Sequence, residues 1–204
     1  MWSSASRRDA GQGHGAVPEM LRQWIPGGVT HSVMQATAPA SDLLKRSAPS
    51  RIVVVASELY RLASLNLNNL NPSSSWCPAY LYYVSKYANI CFTLELARRL
   101  EGTSVTANCL HPGMVDSGIW RNVPFPLNWA LKLVVKGFFK TPAQGCQTSV
   151  YVACSEELNG VTGRYFMDCA ERTLNRGAMD ESKAKKLWEL SEKFADLRPT
   201  DPKI

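Results

Sequence analysis

The sequence predicts an α/β fold in which helices flank a parallel β-sheet. The first observation is a continuous β-branched run over residues 51–57, which is typical of a strand buried on both faces. A helical pattern over residues 78–99 follows it, and a second strand pattern covers residues 104–110; such alternation is typical of layered α/β proteins. The long helix is predicted to bury one apolar face, formed by Leu81, Val84, Ala88, Phe92, Leu96 and Leu100.

The remaining elements follow from shorter signals. A helix is expected to end at residues 42–46, because Pro49 and its neighbours interrupt it. The sequence further predicts a helix over residues 142–154, a short strand over residues 163–167 and a charged amphipathic helix over residues 181–197.

Residues 1–40 show no strand pattern and are predicted to be an irregular leader, unrelated to a folded domain over residues 41–204. Glycines and prolines interrupt this segment throughout. The run Gly11-Gln-Gly-His-Gly15 is similar to a phosphate-binding loop, but a polar stretch precedes it where that motif requires a buried strand. We therefore expect an irregular tail rather than a nucleotide loop.

Composition excludes several classes of protein. The 204 residues contain 23 Lys+Arg and 17 Asp+Glu, and no basic block is longer than a pair, so nucleic-acid binding is not expected. No apolar run approaches the roughly 18 residues of a membrane-spanning helix, and the first residues lack the apolar core of a signal peptide. Neither a spanning nor a secreted protein is expected. The six cysteines have no zinc-site spacing and are expected to be free thiols in a reducing compartment, so no metal is predicted.

Ser57, Tyr82 and Lys86 are the candidate catalytic residues. Ser57 ends the first strand, and ligands bind at the carboxyl ends of strands in open parallel sheets. Tyr82 and Lys86 are four residues apart on the predicted helix, so they share one face, and an ammonium can lower the pKa of a nearby phenol. With a serine hydroxyl holding the substrate oxygen, the set could interconvert an alcohol and a carbonyl. An ordinary solvated helix face is the alternative for this pair.

From about residue 41 to residue 190 the sequence resembles the short-chain dehydrogenase/reductases, and within them the retinol dehydrogenases. Several motifs carry the resemblance in matching order and spacing: Arg51-Ile-Val-Val-Val-Ala-Ser57, Tyr82-Tyr-Val-Ser-Lys86, Ala88-Asn89, Val105-Thr-Ala-Asn108, His111-Pro-Gly113, Lys140-Thr-Pro-Ala-Gln-Gly145 and Gly163-Arg-Tyr-Phe166. The resemblance implies a Rossmann-like sheet and a nicotinamide cofactor, NADP(H) rather than NAD(H). It also implies interconversion of a lipophilic alcohol with an aldehyde or ketone.

The resemblance also implies individual roles. Tyr82 would be the general acid in reduction and the base in oxidation, and Ser57 would orient the substrate oxygen. Lys86 would bind the nicotinamide ribose and lower the pKa of Tyr82. The further cofactor-binding residues implied follow the second strand: Pro112, Gly113, Val115 and Ser117. Ser117 stands where the family commonly has threonine.

Parts of the family pattern are not found in this sequence. These are the Thr-Gly-x-x-x-Gly-x-Gly loop that holds the cofactor pyrophosphate, the Asn-Asn-Ala-Gly strand end, and the catalytic asparagine expected within residues 28–46. At least three βαβ units, roughly 90 residues, are therefore predicted to be absent, leaving the C-terminal half of a doubly wound fold. The alternative function is a catalytically inactive truncated isoform or gene-model fragment that acts as a binding partner.

Residues 125–140 are predicted to form a lid over the substrate or a helix lying in a membrane interface. Lys132, Lys136 and Lys140 recur every four residues beside an aliphatic body that carries Trp129. Both interpretations fit a lipophilic substrate, which could be a retinoid, a steroid or a fatty aldehyde or alcohol. The expected location is the surface of the endoplasmic reticulum membrane, a lipid droplet or the cytoplasm. A homodimer through the long helix is implied by the resemblance.

Overall fold

The structure is a computed structural model that describes residues 26–68, 78–115 and 139–195. Its helices are α1 (Pro26–Arg46), α2 (Pro78–Arg99), α3 (Pro142–Gly145), α4 (Gln147–Cys154) and α5 (Glu181–Phe194). Its strands are β1 (Ser50–Val55), β2 (Val105–His111), β3 (Tyr165–Met167) and β4 (Ala170–Glu171). Short 3₁₀ turns cover Glu58–Leu62 and Glu156–Leu158.

The strands form one sheet in the order β1-β2-β3-β4. β1, β2 and β3 are parallel, with Val55 opposite Leu110, and this confirms the predicted parallel sheet. β4 is antiparallel to β3 and was not predicted. A two-residue turn joins them, in which Asp168 and Cys169 have φ of 55° and 56°, the geometry that tight hairpins favour. The carboxyl ends of β1 and β2 therefore lie side by side.

Helix α2 is the centre of the larger core. It packs against α1 and α5 and covers one face of β1 and β2. The apolar face predicted from its sequence is confirmed, since every member is at most 5% exposed: Leu81, Val84, Ala88, Phe92, Leu96 and Leu100. On the α5 side, Phe92 stacks on Trp188 with ring centroids 4.8 Å apart, and the Arg99 guanidinium lies 4.4 Å from the Trp188 ring centroid. This packing fixes α2 against α5.

A smaller core covers the opposite face of the sheet. It contains Leu110, Val152, Leu158 and Phe166, with α4 packed on β1 and β2. β2 is buried on both faces, but β1 is largely half-buried and Val55 is exposed. The prediction of a strand buried on both faces is therefore wrong for much of β1, because in the described ranges only β2 pairs with it.

The structure corrects the prediction that residues 26–40 are irregular. Helix α1 begins at Pro26 and runs through Pro39, although proline cannot donate the hydrogen bond that a helix interior requires. Packing compensates, because Met34, Thr37 and Ala38 are buried and α1 packs along α2. The predicted helix end at residues 42–46 is confirmed, since α1 ends at Arg46. Residues 1–25 lie outside the described ranges.

The other predicted elements are confirmed with shifted ends. Helix α2 has the predicted bounds, whereas the helix predicted over residues 142–154 is divided at Cys146 into α3 and α4. The closing helix, predicted to reach residue 197, is described as far as Phe194. Within the described ranges, no helix combines the length and apolar character needed to cross a membrane.

Candidate active site

Ser57 lies just beyond the carboxyl end of β1. Its side chain is 3% exposed and caps the Glu58–Leu62 turn by accepting a hydrogen bond of 3.3 Å from the Leu59 amide. The same hydroxyl shares a hydrogen bond with the Tyr82 phenol. The turn thus holds the serine at the strand end while its hydroxyl meets the phenol from α2.

Lys86 lies one helical turn after Tyr82 and faces the same way. Its ammonium is 5.5 Å from the centroid of the Tyr82 ring and donates a hydrogen bond of 3.1 Å to the Val55 carbonyl. Asn89, on the next turn, donates to the same carbonyl at 3.4 Å. The structure therefore brings Ser57, Tyr82 and Lys86 together at the end of β1. Their catalytic roles stay a prediction.

The electrostatics of this trio differ from the expectation for Tyr82. Burial raises the pKa of Tyr82, the hydrogen bond with Ser57 opposes that rise, and Tyr83 adds to it. Burial also lowers the pKa of Lys86, while its ammonium is directed to the Val55 carbonyl. Because burial raises the pKa of Tyr82 above its ordinary value of 10.0, Tyr82 is a protonated phenol at neutral pH in this arrangement.

The segment after β2 lies at the same edge of the sheet. Gly113 has a φ of +93°, which favours glycine, and Val115 forms a parallel bridge with Lys140. Gly145 makes a close approach to Val115, because a Cβ built at Gly145 would lie 2.5 Å from Val115 Cγ2. Pro112, Gly113 and Val115 thus follow β2 at the edge of the sheet where β1 also ends. Ser117 and most of the segment 125–140 lie outside the described residues.

Sequence reasoning missed several polar residues of this region as candidates for the site. Asn89 was findable, because it follows Lys86 by three residues and so shares the helix face of Lys86. Its Oδ1 is buried without a hydrogen-bond partner in the described ranges, as is Nδ1 of His111. Lys140 and Asp168 form an ion pair of 2.5 Å. They are far apart in sequence, and no sequence pattern predicts their contact.

In the described part of the chain, no group of His, Cys, Asp and Glu side chains is arranged to hold a metal ion. The cysteines in these ranges are free thiols, with Cys91 and Cys109 buried and Cys146, Cys154 and Cys169 exposed.

Comparison with known proteins supplies the family. No protein-family model matches the chain. It is 55% identical over 152 residues to mouse (Mus musculus) retinol dehydrogenase 14, covering 74% of this chain and 46% of that protein. The human (Homo sapiens) retinol dehydrogenase 14 is 54% identical over 157 residues, 76% of this chain and 47% of the relative. Cattle (Bos taurus) dehydrogenase/reductase SDR family member 13 is 40% identical over 159 residues, 76% of this chain and 42% of the relative.

A solved structure of an uncharacterised protein from Mycobacterium paratuberculosis is also similar, with a TM-score of 0.49, 24% identity, and coverage of 73% of this chain and 51% of that one. The parallel sheet with flanking helices confirms the predicted α/β fold class, and Ser57, Tyr82 and Lys86 lie together at the end of β1. With the relatives above, the chain belongs to the short-chain dehydrogenase/reductase family, in its retinol-dehydrogenase-like branch. It spans about half the length of the curated relatives it matches.

The residues present fit one end of a nicotinamide cofactor. Lys86 uses one N–H on the Val55 carbonyl and keeps two donors for ribose hydroxyls. Gly113, after β2, has a φ that favours glycine, and the Lys140 side chain lies against it. The described ranges contain no glycine-rich loop between a strand and a helix that would hold the pyrophosphate. The fit is therefore to the ribose next to the nicotinamide.

Proposed function

We propose that this site serves an oxidoreductase reaction in which a lipophilic alcohol and an aldehyde or ketone are interconverted with a nicotinamide cofactor. One observation carries the proposal: the Tyr82 phenol shares a hydrogen bond with the buried Ser57 hydroxyl, one helical turn from the Lys86 ammonium. A substrate oxygen placed between the two hydroxyls would meet a positioning donor and a proton donor at once.

Each residue has a separate task in this proposal. Ser57 holds the substrate oxygen, because its hydroxyl is fixed by the 3₁₀ turn that it caps. Tyr82 gives its phenolic proton to that oxygen in reduction and takes it back in oxidation. Burial raises the pKa of Tyr82, so the protonated form required for reduction is the one present at neutral pH. Lys86 holds the ribose hydroxyls beside the phenol.

The cofactor proposed is NADP(H) rather than NAD(H), a preference that rests on resemblance to the family. When bound, its nicotinamide would supply or accept the hydride. Tyr82, Lys86, Pro112, Gly113 and Val115 would surround the nicotinamide end, and Ser117 would extend this set.

A retinoid is the first substrate to test, because the relatives are named retinol dehydrogenases. Steroids and fatty aldehydes share its apolar body and single carbonyl and are the next. We further propose contact with a membrane surface, as on the endoplasmic reticulum or a lipid droplet, through residues 125–140. Dimerisation through α2 is proposed on the same resemblance.

A binding-only chain is the second candidate function. It is favoured by one observation, that the described residues include no counterpart of the pyrophosphate-binding loop. Such a chain would present the same fold to a partner without turning over a substrate, and it would be insensitive to loss of the Tyr82 hydroxyl.

The test begins with NADPH binding to the purified chain, followed by quenching of its six tryptophans or by calorimetry. Micromolar binding is expected, and reduction of all-trans-retinal is measured next. Tyr82→Phe should lower the rate about 10³-fold, because it removes the proton donor while keeping the ring. Tyr83→Phe, a matched change at the adjacent residue, should keep the activity.

Two results would count against the enzyme. Absence of NADPH binding up to millimolar concentration would end the enzymatic proposal for this chain. Equal rates for the wild type and Tyr82→Phe would favour the binding-only function.

A further inference from the structure

Lys140 connects three segments at the carboxyl edge of the sheet. Its backbone amide donates a hydrogen bond of 2.7 Å to the Met114 carbonyl, and it pairs with Val115 in a parallel bridge. Its side chain runs over Gly113, where a built Cβ would lie only 2.8 Å from Lys140 Cδ. The residue therefore contacts, through both backbone and side chain, the loop that follows β2.

The far end of the Lys140 side chain is fixed by Asp168. The ammonium lies 2.5 Å from Asp168 Oδ1, and this hydrogen bond lowers the pKa of the Asp168 carboxyl. Asp168 sits in the β3–β4 turn, whose next amide, that of Cys169, donates to the buried Thr148 hydroxyl at 3.3 Å. The carboxylate is thus held on a hairpin that is itself attached to α4.

The ion pair is poorly placed to stabilise the fold as a whole. The Lys140 side chain is 33% exposed and that of Asp168 49%, and pairs of this exposure contribute little to unfolding free energy. Its contacts are instead local, since they converge on Gly113 and Val115, two of the residues assigned to the nicotinamide end of the cofactor.

We propose that Lys140, held by Asp168, is a positioning residue that fixes the backbone of residues 113–115 for cofactor binding. The inference rests on the proposed function and deepens it. In this proposal Lys140 acts through the loop rather than directly on the substrate or the cofactor. Its charge is the essential part, because the methylene stem alone would cover Gly113 without anchoring the loop to the hairpin.

The experiment compares Lys140→Met, Asp168→Asn and the double variant with the wild type. Methionine keeps the apolar stem and removes the charge, and asparagine tolerates the left-handed φ of position 168 while removing the carboxylate. Each single change should raise the dissociation constant for NADPH about tenfold. The double variant should show no larger increase than either single variant. Lys140→Arg should restore the affinity.

Arg164→Met is the matched control. It removes another surface ion pair, of 3.4 Å with Glu171, at the same hairpin without touching residues 113–115. It should leave NADPH affinity unchanged. Equal affinity of the wild type, Lys140→Met and Asp168→Asn would overturn the inference while leaving the proposed function intact.

Native-state hydrogen exchange separates the two proposals if the wild type does not bind NADPH. The amide of position 140 donates to Met114, so its exchange reports directly on the loop contact. Faster exchange in Lys140→Met and Asp168→Asn, but not in Arg164→Met, would support the positioning role even though the proposed function had failed. Unchanged exchange in both variants would overturn it.

Discussion

At the scale of single residues, desolvation decides the chemistry of Tyr82. The Tyr82 phenol is half-buried, shares a hydrogen bond with Ser57 and lies beside Lys86. Burial is nevertheless the leading cause of its raised pKa. The Lys86 ammonium is engaged by the Val55 carbonyl, and burial lowers its own pKa. Tyr82 therefore keeps its phenolic proton at neutral pH, which in the proposed reaction suits reduction of a carbonyl better than deprotonation of an alcohol.

The first prediction concerns the titration of Tyr82. Because burial raises the pKa of Tyr82 above its ordinary value of 10.0, phenolate absorbance from this residue should arise only at higher pH. The measurement is the ultraviolet difference spectrum of the wild type minus Tyr82→Phe as pH is raised, and it requires no activity. A midpoint below 10.0 would instead support the sequence-based expectation that Lys86 lowers the pKa of Tyr82.

At the scale of elements, the sequence predicted those whose local signals agreed with their packing. The long helix was predicted with the bounds of α2, since its apolar spacing, its initial proline and its burial all coincide. Helix α1 was missed before residue 41 because Pro39 and two early glycines disfavour a helix locally. Burial of Met34 and Ala38 overrides that preference. This burial depends on tertiary packing, which local sequence signals do not report.

In the candidate site, too, the residues predicted from sequence are those linked by local structure. Tyr82 and Lys86 were predictable because one helix turn joins them, and Ser57 because it follows a strand pattern. The pair of Lys140 and Asp168 was not, because only the β3–β4 hairpin and the bridge at Val115 bring those residues together.

A second prediction belongs to the end of α4. The Arg51 guanidinium, projecting from β1, donates to the carbonyls of Val152 at 3.2 Å and Ser155 at 2.7 Å and to Asn159 Oδ1 at 2.7 Å. The Val152 carbonyl lies in the last turn of α4, where a helix leaves carbonyls without partners, and a cation also suits the negative end of the helix. Arg51→Ala should therefore lower the unfolding free energy by about 2 kcal/mol in urea denaturation.

Two further variants calibrate that measurement. Arg51→Lys keeps the charge but cannot make the forked contacts, so it should recover only part of the loss. Arg164→Ala, which removes an exposed ion pair, should change stability by less than about 0.5 kcal/mol. If Arg51→Ala behaved like Arg164→Ala, the guanidinium would not be stabilising the end of α4.

At the scale of the whole molecule, the two cores are unequal. The larger one lies between the sheet and helices α1, α2 and α5, and it holds most of the buried aromatic side chains. It also holds ionisable groups that keep their protons to a higher pH in the folded chain than in the unfolded one. Burial is the leading cause that raises the pKa values of Tyr87, Cys91 and Cys109, each to about 12.

These groups predict that the fold loses stability in alkali. Their ordinary pKa values are 10.0 for the phenol and 9.0 for the thiols, so between pH 9 and 12 the unfolded chain has released protons that the folded chain retains. The unfolded state then binds fewer protons, and the unfolding free energy must fall as pH rises. For Tyr87 alone the fall approaches about 1.4 kcal/mol between pH 8 and pH 11.

Tyr87→Phe tests this prediction because it removes the ionising hydroxyl and keeps the buried ring. Urea denaturation under reducing conditions should show a shallower decline for this variant, by about 1.4 kcal/mol at pH 11 relative to pH 8. The offset between variant and wild type at pH 8, where the Tyr87 phenol is protonated in both states, accounts for any change in packing. A decline of equal steepness in the two proteins would show that Tyr87 ionises as readily in the folded chain as in the unfolded one, and that the larger core admits water at α2.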